Sequence, residues 1–288
     1  MNAIQRAMSA VFDAVLTPFE WLGDEVALVL VSGLFGVLAL LLFKRISWQS
    51  GIKAAKDKIK GHMIAIRIYQ DDLGIVFASV LKILLRNLQY LALNFGPILP
   101  LFVPFLLVAA QLVVRYAFAP LPVVASEAEL SSMLPGEGTM IEVRMKKGRE
   151  AEVAKLSLQF PANFQALSPL ARSQAQGLAF QEVVARAPGA GDIGLVVAGK
   201  EVGTKAIVAG ADVPRCMQPE RVSSFWSSWL WPAEPTFASD SPVDSVRFVY
   251  PDRDLGFLPG GALGVLVVFF LSSILFGLAI LKPLNIQI

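Results

Sequence analysis

Residues 260–281 read GGALGVLVVFFLSSILFGLAIL, a run of 22 residues without a charge. At about 1.5 Å of rise per residue such a run crosses a hydrocarbon core of roughly 30 Å with some tilt. Lys282 and Pro283 end it, so residues 260–282 are expected to form a membrane-spanning helix. Upstream, residues 26–43 read VALVLVSGLFGVLALLLF, 18 residues without a charge and just long enough to span. A secretory signal peptide is the competing reading, but the region before Val26 is long and acidic. No small-x-small cleavage site follows Phe43 before Lys44 and Arg45. Residues 94–118 form a further apolar run, interrupted by Pro97, Pro100 and Pro104. Each proline removes a backbone donor, so this span should be bent or broken near its start.

The composition agrees with a membrane protein: 55% of the 288 residues are hydrophobic, 17% are charged, and mean hydropathy is +0.60. One cysteine, Cys216, and one histidine, His62, exclude an intrachain disulfide and disfavour a Cys/His metal site or a histidine-based triad. No enzyme activity, cofactor, metal or DNA binding is expected. Gly199 and Gly203 do not sit in a strand-to-helix phosphate loop.

Charge sets the expected orientation. Lys44 to Asn87 carries nine Lys or Arg against three acids, whereas the chain up to Glu25 carries one Arg against four acids. Positively charged short loops stay in the cytoplasm. The segment 44–93 is therefore expected inside, and the N-terminus and residues 119–259 outside, with the tail after Lys282 inside. A bacterial cytoplasmic (inner) membrane, with residues 119–259 as a periplasmic domain, is the expected location. Residues 1–25 place Ile4, Met8, Val11, Phe12, Val15, Phe19 and Trp21 at mostly helical spacing, the pattern of a helix lying on the outer surface. A loosely ordered terminus continuing the first span is the alternative.

In the inner segment, Ile52, Ala55, Ile59, Met63, Ile66 and Tyr69 recur at three- and four-residue steps, with Lys53, Lys56, Lys58, Lys60 and Arg67 around them. Asp71 and Asp72 supply turn or N-cap chemistry before a second, more apolar helix from Leu73 to Leu93. The result is a basic helical hairpin. Its basic face suits anionic lipid headgroups or ribosomal RNA, and the plainer reading is a topological signal only.

Residues 119–259 change composition, gaining Pro, Gly and Ser. Thr139–Met145, Val153–Phe160, Ala179–Ala185, Ile193–Val197, Thr204–Val208 and Ser245–Tyr250 read as short strands. Gly199 to Gly203 reads as a hairpin connection. The fold class expected is an α-helical transmembrane protein of three spans with a cytoplasmic helical hairpin and a β-rich external domain, a sandwich being the simplest arrangement. Within that domain SSFWSSWLWPAEPTF, residues 223–237, concentrates Phe225, Trp226, Trp229 and Trp231. They form either a partner or interface contact or an aromatic cluster in the core; Pro232 and Pro235 argue against a regular central strand.

Two stretches carry a resemblance: QSGIKAAKDKIKGHMIAIR, Gln49 to Arg67, and GPILPLFVP, Gly96 to Pro104. With the order of parts around them, the first 120 or so residues resemble the YidC/Oxa/Alb insertase superfamily and its ER relatives. That resemblance implies a groove, open to cytoplasm and lipid, through which a substrate's polar segment enters as its hydrophobic helix slides into the bilayer. It implies nascent membrane proteins or the ribosome as partners, and Lys44, Arg45, Asn87, Gln89 and Asn94 as a polar vestibule. Many bacterial members carry an arginine in the first core span; residues 26–43 have none. The alternative from another class is a non-catalytic envelope scaffold, binding other envelope membrane subunits through the external domain. Convergence of polar side chains within the membrane separates the two; Gln111 and Arg115 share one helical face and are candidates for it, or for snorkelling to the interface.

Overall fold

The computed structural model describes residues 3–283, apart from the side chains of residues 3–8 and Glu20. The side chains of Ile4 and Met8, part of the N-terminal amphipathic pattern, and the tail 284–288 lie outside what is described. Seven helices are formed among the described residues: α1 (Ala3–Leu16), α2 (Asp24–Ile46), α3 (Gln49–Ile68), α4 (Leu73–Phe95), α5 (Ile98–Tyr116), α6 (Glu127–Ser132) and α7 (Gly261–Leu281). Nine strands follow chain order as β1 (Thr139–Met145), β2 (Leu156–Gln159), β3 (Phe164–Ala166), β4 (Ala171–Ser173), β5 (Leu178–Ala185), β6 (Gly189–Val197), β7 (Lys200–Ala209), β8 (Glu220–Val222) and β9 (Val243–Arg247).

Three helical stretches, Asp24–Ile46, Leu73–Tyr116 and Gly261–Leu281, are long and apolar enough to cross a membrane. The middle one is two helices, α4 and α5, separated by a turn at Gly96 and Pro97. The break expected from the prolines thus falls before the span rather than within it, and Asn94 belongs to α4. Pro104 sits inside α5. Helix α2 opens with Asp24 and Glu25 and closes with Lys44 and Arg45, each sign placed where the helix dipole favours it.

The chain divides into two compact units: Val29–Leu106 with Val268–Ile288, and Met1–Leu28 with Leu107–Val267. In the first unit α2 and α7 approach closely because Gly36 lacks a side chain; a Cβ there would run into the Ser273 carbonyl oxygen. The Ser273 hydroxyl donates to the Ser32 carbonyl at 2.9 Å, and Phe105 stacks on Phe269 at 4.8 Å between ring centres. The hairpin of the same unit packs α3 on α4. Asp72 is the N-cap of α4, its side chain accepting from the amides of Gly74 and Ile75 at 2.9 and 3.1 Å. On α3 the buried positions are Gly51, Ile52 and Ala55, while Met63 and Tyr69, assigned to the same stripe from sequence, are 59% and 51% exposed. At 3.6 residues per turn the inner row runs through positions 59, 62 and 66, so His62 takes the inward place and Met63 turns out.

The second unit holds α1, α6 and two antiparallel sheets, one ordered β3-β5-β1-β9-β8 with β4 also on β5, the other β2-β6-β7. Ile141, Val143, Ile193, Leu195, Ile207 and Val246 are fully buried, the inward residues of a period-two alternation. The β6–β7 hairpin turns over Ala198 and Gly199, which have φ of +52° and +80°, between the paired residues Val197 and Lys200. Two residues of positive φ match the twist of antiparallel strands, so the turn is shorter than the five-residue connection read from sequence, and Lys200 to Gly203 are strand. The expected strand Val153–Phe160 is split: Glu150–Lys155 is a 3-10 helix and only Leu156–Gln159 pairs. Ser245–Tyr250 is shifted, β9 ending at Arg247 because Phe248 and Tyr250 turn into the core.

The long edge strand β7 is closed from its outer side. The Ala206 amide donates to Glu234 Oε2 at 3.2 Å, the Val208 amide to the Tyr250 hydroxyl at 3.2 Å, and Arg221 caps the Thr204 carbonyl. Alternate residues of β7 therefore find side chains where a further strand would sit, which blunts the edge against pairing with another chain.

Candidate functional site

Within the membrane unit, α2, α5 and α7 leave an open cavity of about 340 Å³. Gly36 and Leu40 line it from α2, Leu101 and Phe105 from α5, Ser273 and Gly277 from α7, and Asn94 from the last turn of α4. The missing side chains of Gly36 and Gly277 help to leave the space. Because the Ser273 hydroxyl is already spent on Ser32, Asn94 supplies the open polar function. Its Nδ2 donates to the Tyr90 carbonyl at 2.8 Å, while its Oδ1 is buried without a partner. A buried amide oxygen left unsatisfied is uncommon, and here it is an acceptor on offer in an apolar setting.

Asn94 alone of the five vestibule residues lines this cavity. Lys44 and Arg45 are exposed on the last turn of α2, and Asn87 and Gln89 are exposed on α4, where Gln89 accepts from Arg86 at 2.7 Å. On α3, Lys53, Lys58, Lys60 and Arg67 are exposed, and Lys56 lies over the Tyr90 ring at 5.5 Å. The basic face is therefore presented to solvent, except for Lys56, which helps to clip α3 to α4.

In the other unit, Gln111 and Arg115 of α5 are 0% and 7% exposed, so the Arg115 side chain is packed within the chain. It forms an ion pair with Asp13 of α1 at 2.7 Å and donates to the Ser9 carbonyl at 3.3 Å. Gln111 donates to the Ser9 hydroxyl at 3.4 Å. Ser9 and Asp13, four apart on α1, are legible in the sequence as a polar pair on one face of an amphipathic helix. Asp24 pairs with Arg253, whose Nη1 donates to the Arg115 carbonyl at 2.9 Å. Polar groups thus do converge here, and most of them tie α1, α2 and α5 to the β-rich region, while Gln111 Oε1 and Arg115 Nε are buried without a hydrogen-bond partner. Cys216 lies nearby, its thiol pushed up by burial, which keeps it protonated and unreactive.

The aromatic segment is divided by the structure. Phe225, Trp226 and Trp229 cluster around a short 3-10 helix with centroids 5.5 to 6.2 Å apart, and Trp226 is 76% exposed. Trp231 packs instead near Phe118 at 6.4 Å, two residues beyond α5. Below this loop Glu234 reaches the fully buried Lys205, whose ammonium donates to Glu234 Oε1 at 2.5 Å and to the carbonyls of Gln218 and Ala206 at 2.9 and 3.0 Å. Three donors meet three acceptors. Burial pushes the Lys205 pKa down, against the opposing pull of Glu234. The group is structural: it anchors the base of the aromatic loop to β7. Among the described residues no group of three or more His, Cys, Asp or Glu is placed to hold a metal ion.

Comparison with protein-family models, curated proteins and solved structures gives no match to this chain.

Proposed function

We propose that this membrane protein is insertase-like, acting as a chaperone that receives an apolar segment of a newly made membrane protein in the cavity between α2, α5 and α7. The observation that carries the reading is the cavity itself, apolar on its walls and bearing the unpartnered Asn94 Oδ1 at the end nearest the hairpin. At about 340 Å³ it stands at the low end of ligand pockets, which span roughly 300–1,000 Å³. It takes a few side chains of a passing helix rather than the whole helix. The acceptor suits a backbone or side-chain donor that has left water before finding its own partner. No nucleotide or metal is needed for such a step.

The orientation belongs to the same proposal. Nine basic residues between the first two spans put the hairpin in the cytoplasm, where exposed Lys53, Lys58, Lys60 and Arg67 meet ribosome or lipid phosphates. The two sheets then form an external sandwich in the periplasm of an inner-membrane protein. A photo-crosslinking residue in place of Leu101 or Ile274, which both line the cavity, tests it during synthesis of a membrane protein by the same cells. Crosslinks to nascent apolar segments are expected, and crosslinks to lipid alone would overturn the reading.

An envelope scaffold is the second reading, favoured by the exposed Phe225 and Trp226 of the aromatic tip and by the sparse polarity of the cavity. It expects purification in mild detergent to recover a fixed set of envelope subunits, with no nascent chain.

A further inference from the structure

Helix α4 exposes an apolar face that nothing in its own unit covers. Leu73, Phe77, Leu84, Leu88, Leu91 and Phe95 are each between 46% and 80% exposed, and their spacing keeps them on one side of the helix. Val80, Leu81 and Leu85, at 50 to 57%, widen that side beyond the narrow two-position seam of a coiled coil. The face runs the length of the helix, 22 residues from the first to the last of these positions, or about 33 Å.

Lys82 and Arg86 sit in the middle of α4, away from this face, with Gln89 bonded to Arg86. Ser79 is buried and Tyr90 lies under Lys56 on the side taken by α3. Two cations at mid-helix oppose a transmembrane course. They suit a helix lying along the surface, with its apolar side down and its charges at headgroup level. Continuity places that surface: Phe95 ends α4, Gly96 and Pro97 interrupt the helix, and Ile98 opens α5, so the end of α4 lies at the boundary where the α5 span begins. Charge agrees. The segment 44–87 carries nine cations against three acids, and each cation near an anionic leaflet adds attraction.

We infer that α4 lies in the plane of the bilayer leaflet at which α5 starts, its leucine face immersed among the acyl chains of anionic lipid and α3 riding on its outer side. The inference needs the membrane but not the cargo, so it stands apart from the chaperone reading. The hairpin is then a surface float that holds Asn94 and the mouth of the cavity at a fixed depth.

The test uses the full chain with Cys216→Ser, carrying single cysteines at Leu84, Leu88 or Lys82 labelled with an environment-sensitive fluorophore. The protein is reconstituted in vesicles of phosphatidylglycerol and phosphatidylethanolamine. Labels at Leu84 and Leu88 are expected to be blue-shifted, strongly quenched by spin-labelled acyl chains, and several-fold less accessible to aqueous iodide than the label at Lys82. Equal iodide access at all three positions would overturn the inference. So would protection from iodide without quenching by lipid, accompanied by crosslinks between copies at Leu84, which would assign the face to a second copy of this chain. Leu84→Gln and Leu88→Gln, made separately, supply a check free of labels: each should raise exchange of α4 amides in vesicles while leaving α2 and α7 protected. Unchanged exchange in both would equally overturn it.

Discussion

The two sheets and the helical unit treat their buried polar groups differently. Around the sheets every donor of buried Lys205 meets an acceptor, and Arg221 and Tyr250 close the edge of β7, whereas on α5 of the same unit Gln111 Oε1 and Arg115 Nε are buried without a hydrogen-bond partner. In the membrane unit the buried Asn94 Oδ1 has no partner, and α4 leaves a broad leucine face bare. A region that satisfies itself internally, as the sheets do, is built to hold a shape. One that leaves an acceptor open and an apolar face uncovered has partners still to meet. Under the chaperone reading the difference favours the helical unit as the place of binding, and the β-rich unit offers its exposed aromatic tip.

The sharpest way to break that contrast is Glu234→Ala. It leaves the Lys205 ammonium fully buried with no counter-charge, and truncating one member of a buried pair costs about 3–5 kcal/mol. Unfolding of the detergent-solubilised chain, followed by tryptophan fluorescence, should show this loss together with release of the aromatic loop. A change below about 1 kcal/mol would mean the pair is not the closed anchor described, since one ordinary hydrogen bond contributes that much.

Tyr250→Phe comes next. It leaves the Val208 amide buried without an acceptor, at about 1–3 kcal/mol. The pH dependence sharpens it. Burial raises the Tyr250 pKa above the ordinary tyrosine range, so on raising the pH the unfolded chain loses this proton first. Between the two pKa values the folded state holds more protons than the unfolded one, and stability falls as pH rises. The contribution is intact below the ordinary tyrosine pKa, about 10, and is lost progressively above it. Denaturant midpoints should therefore decline less steeply in alkali for the Phe variant than for the parent. Parallel declines would remove Tyr250 from the account.

Local patterns carried most of the fold in the sequence. The uncharged run at 260–281, the prolines after Gly96 and the N-cap at Asp72 each depend on neighbours within a turn or two, and each has its counterpart in the structure. The contacts that give each unit its character are distant in sequence. Ser32 meets Ser273, and Lys205 meets Gln218 and Glu234 from different parts of the chain. Glycines such as Gly36 read only as helix residues until α7 is laid against them. Asn94 was legible as a polar residue at the start of a span. Rotation about α2 and α4 turns the other four polar residues, Lys44, Arg45, Asn87 and Gln89, to the surface.

Trp226→Ala probes the exposed tip. With 76% of this residue in solvent, its removal should shift stability by no more than about 0.5 kcal/mol, as at other exposed sites. Trp231→Ala, which strips a ring from beside Phe118, should cost more. Denaturant titration of both variants separates a tip free to bind from a tip packed in the core; equal, large losses would make the whole segment core and withdraw the scaffold reading's contact surface.

The smallest effect is expected at Asn94, and it discriminates most finely between the units. Asn94→Leu removes a buried acceptor that has no partner, so the desolvation of that oxygen is relieved, while the single bond from Nδ2 to the Tyr90 carbonyl, worth about 1 kcal/mol, is given up. These terms nearly cancel, and the midpoint of unfolding should move little in either direction. Were Asn94 a structural residue like Glu234, the loss would be several times larger, because its partners would be left unpaired; here the Tyr90 carbonyl still accepts the i+4 amide of its own helix. Crosslinking of nascent segments from position 101 should nevertheless fall in this variant, since the open acceptor is gone and only apolar walls remain. A stable variant with undiminished crosslinking would show that the cavity works by its apolar surface alone, and that the unpartnered oxygen of Asn94 has no part in receiving cargo.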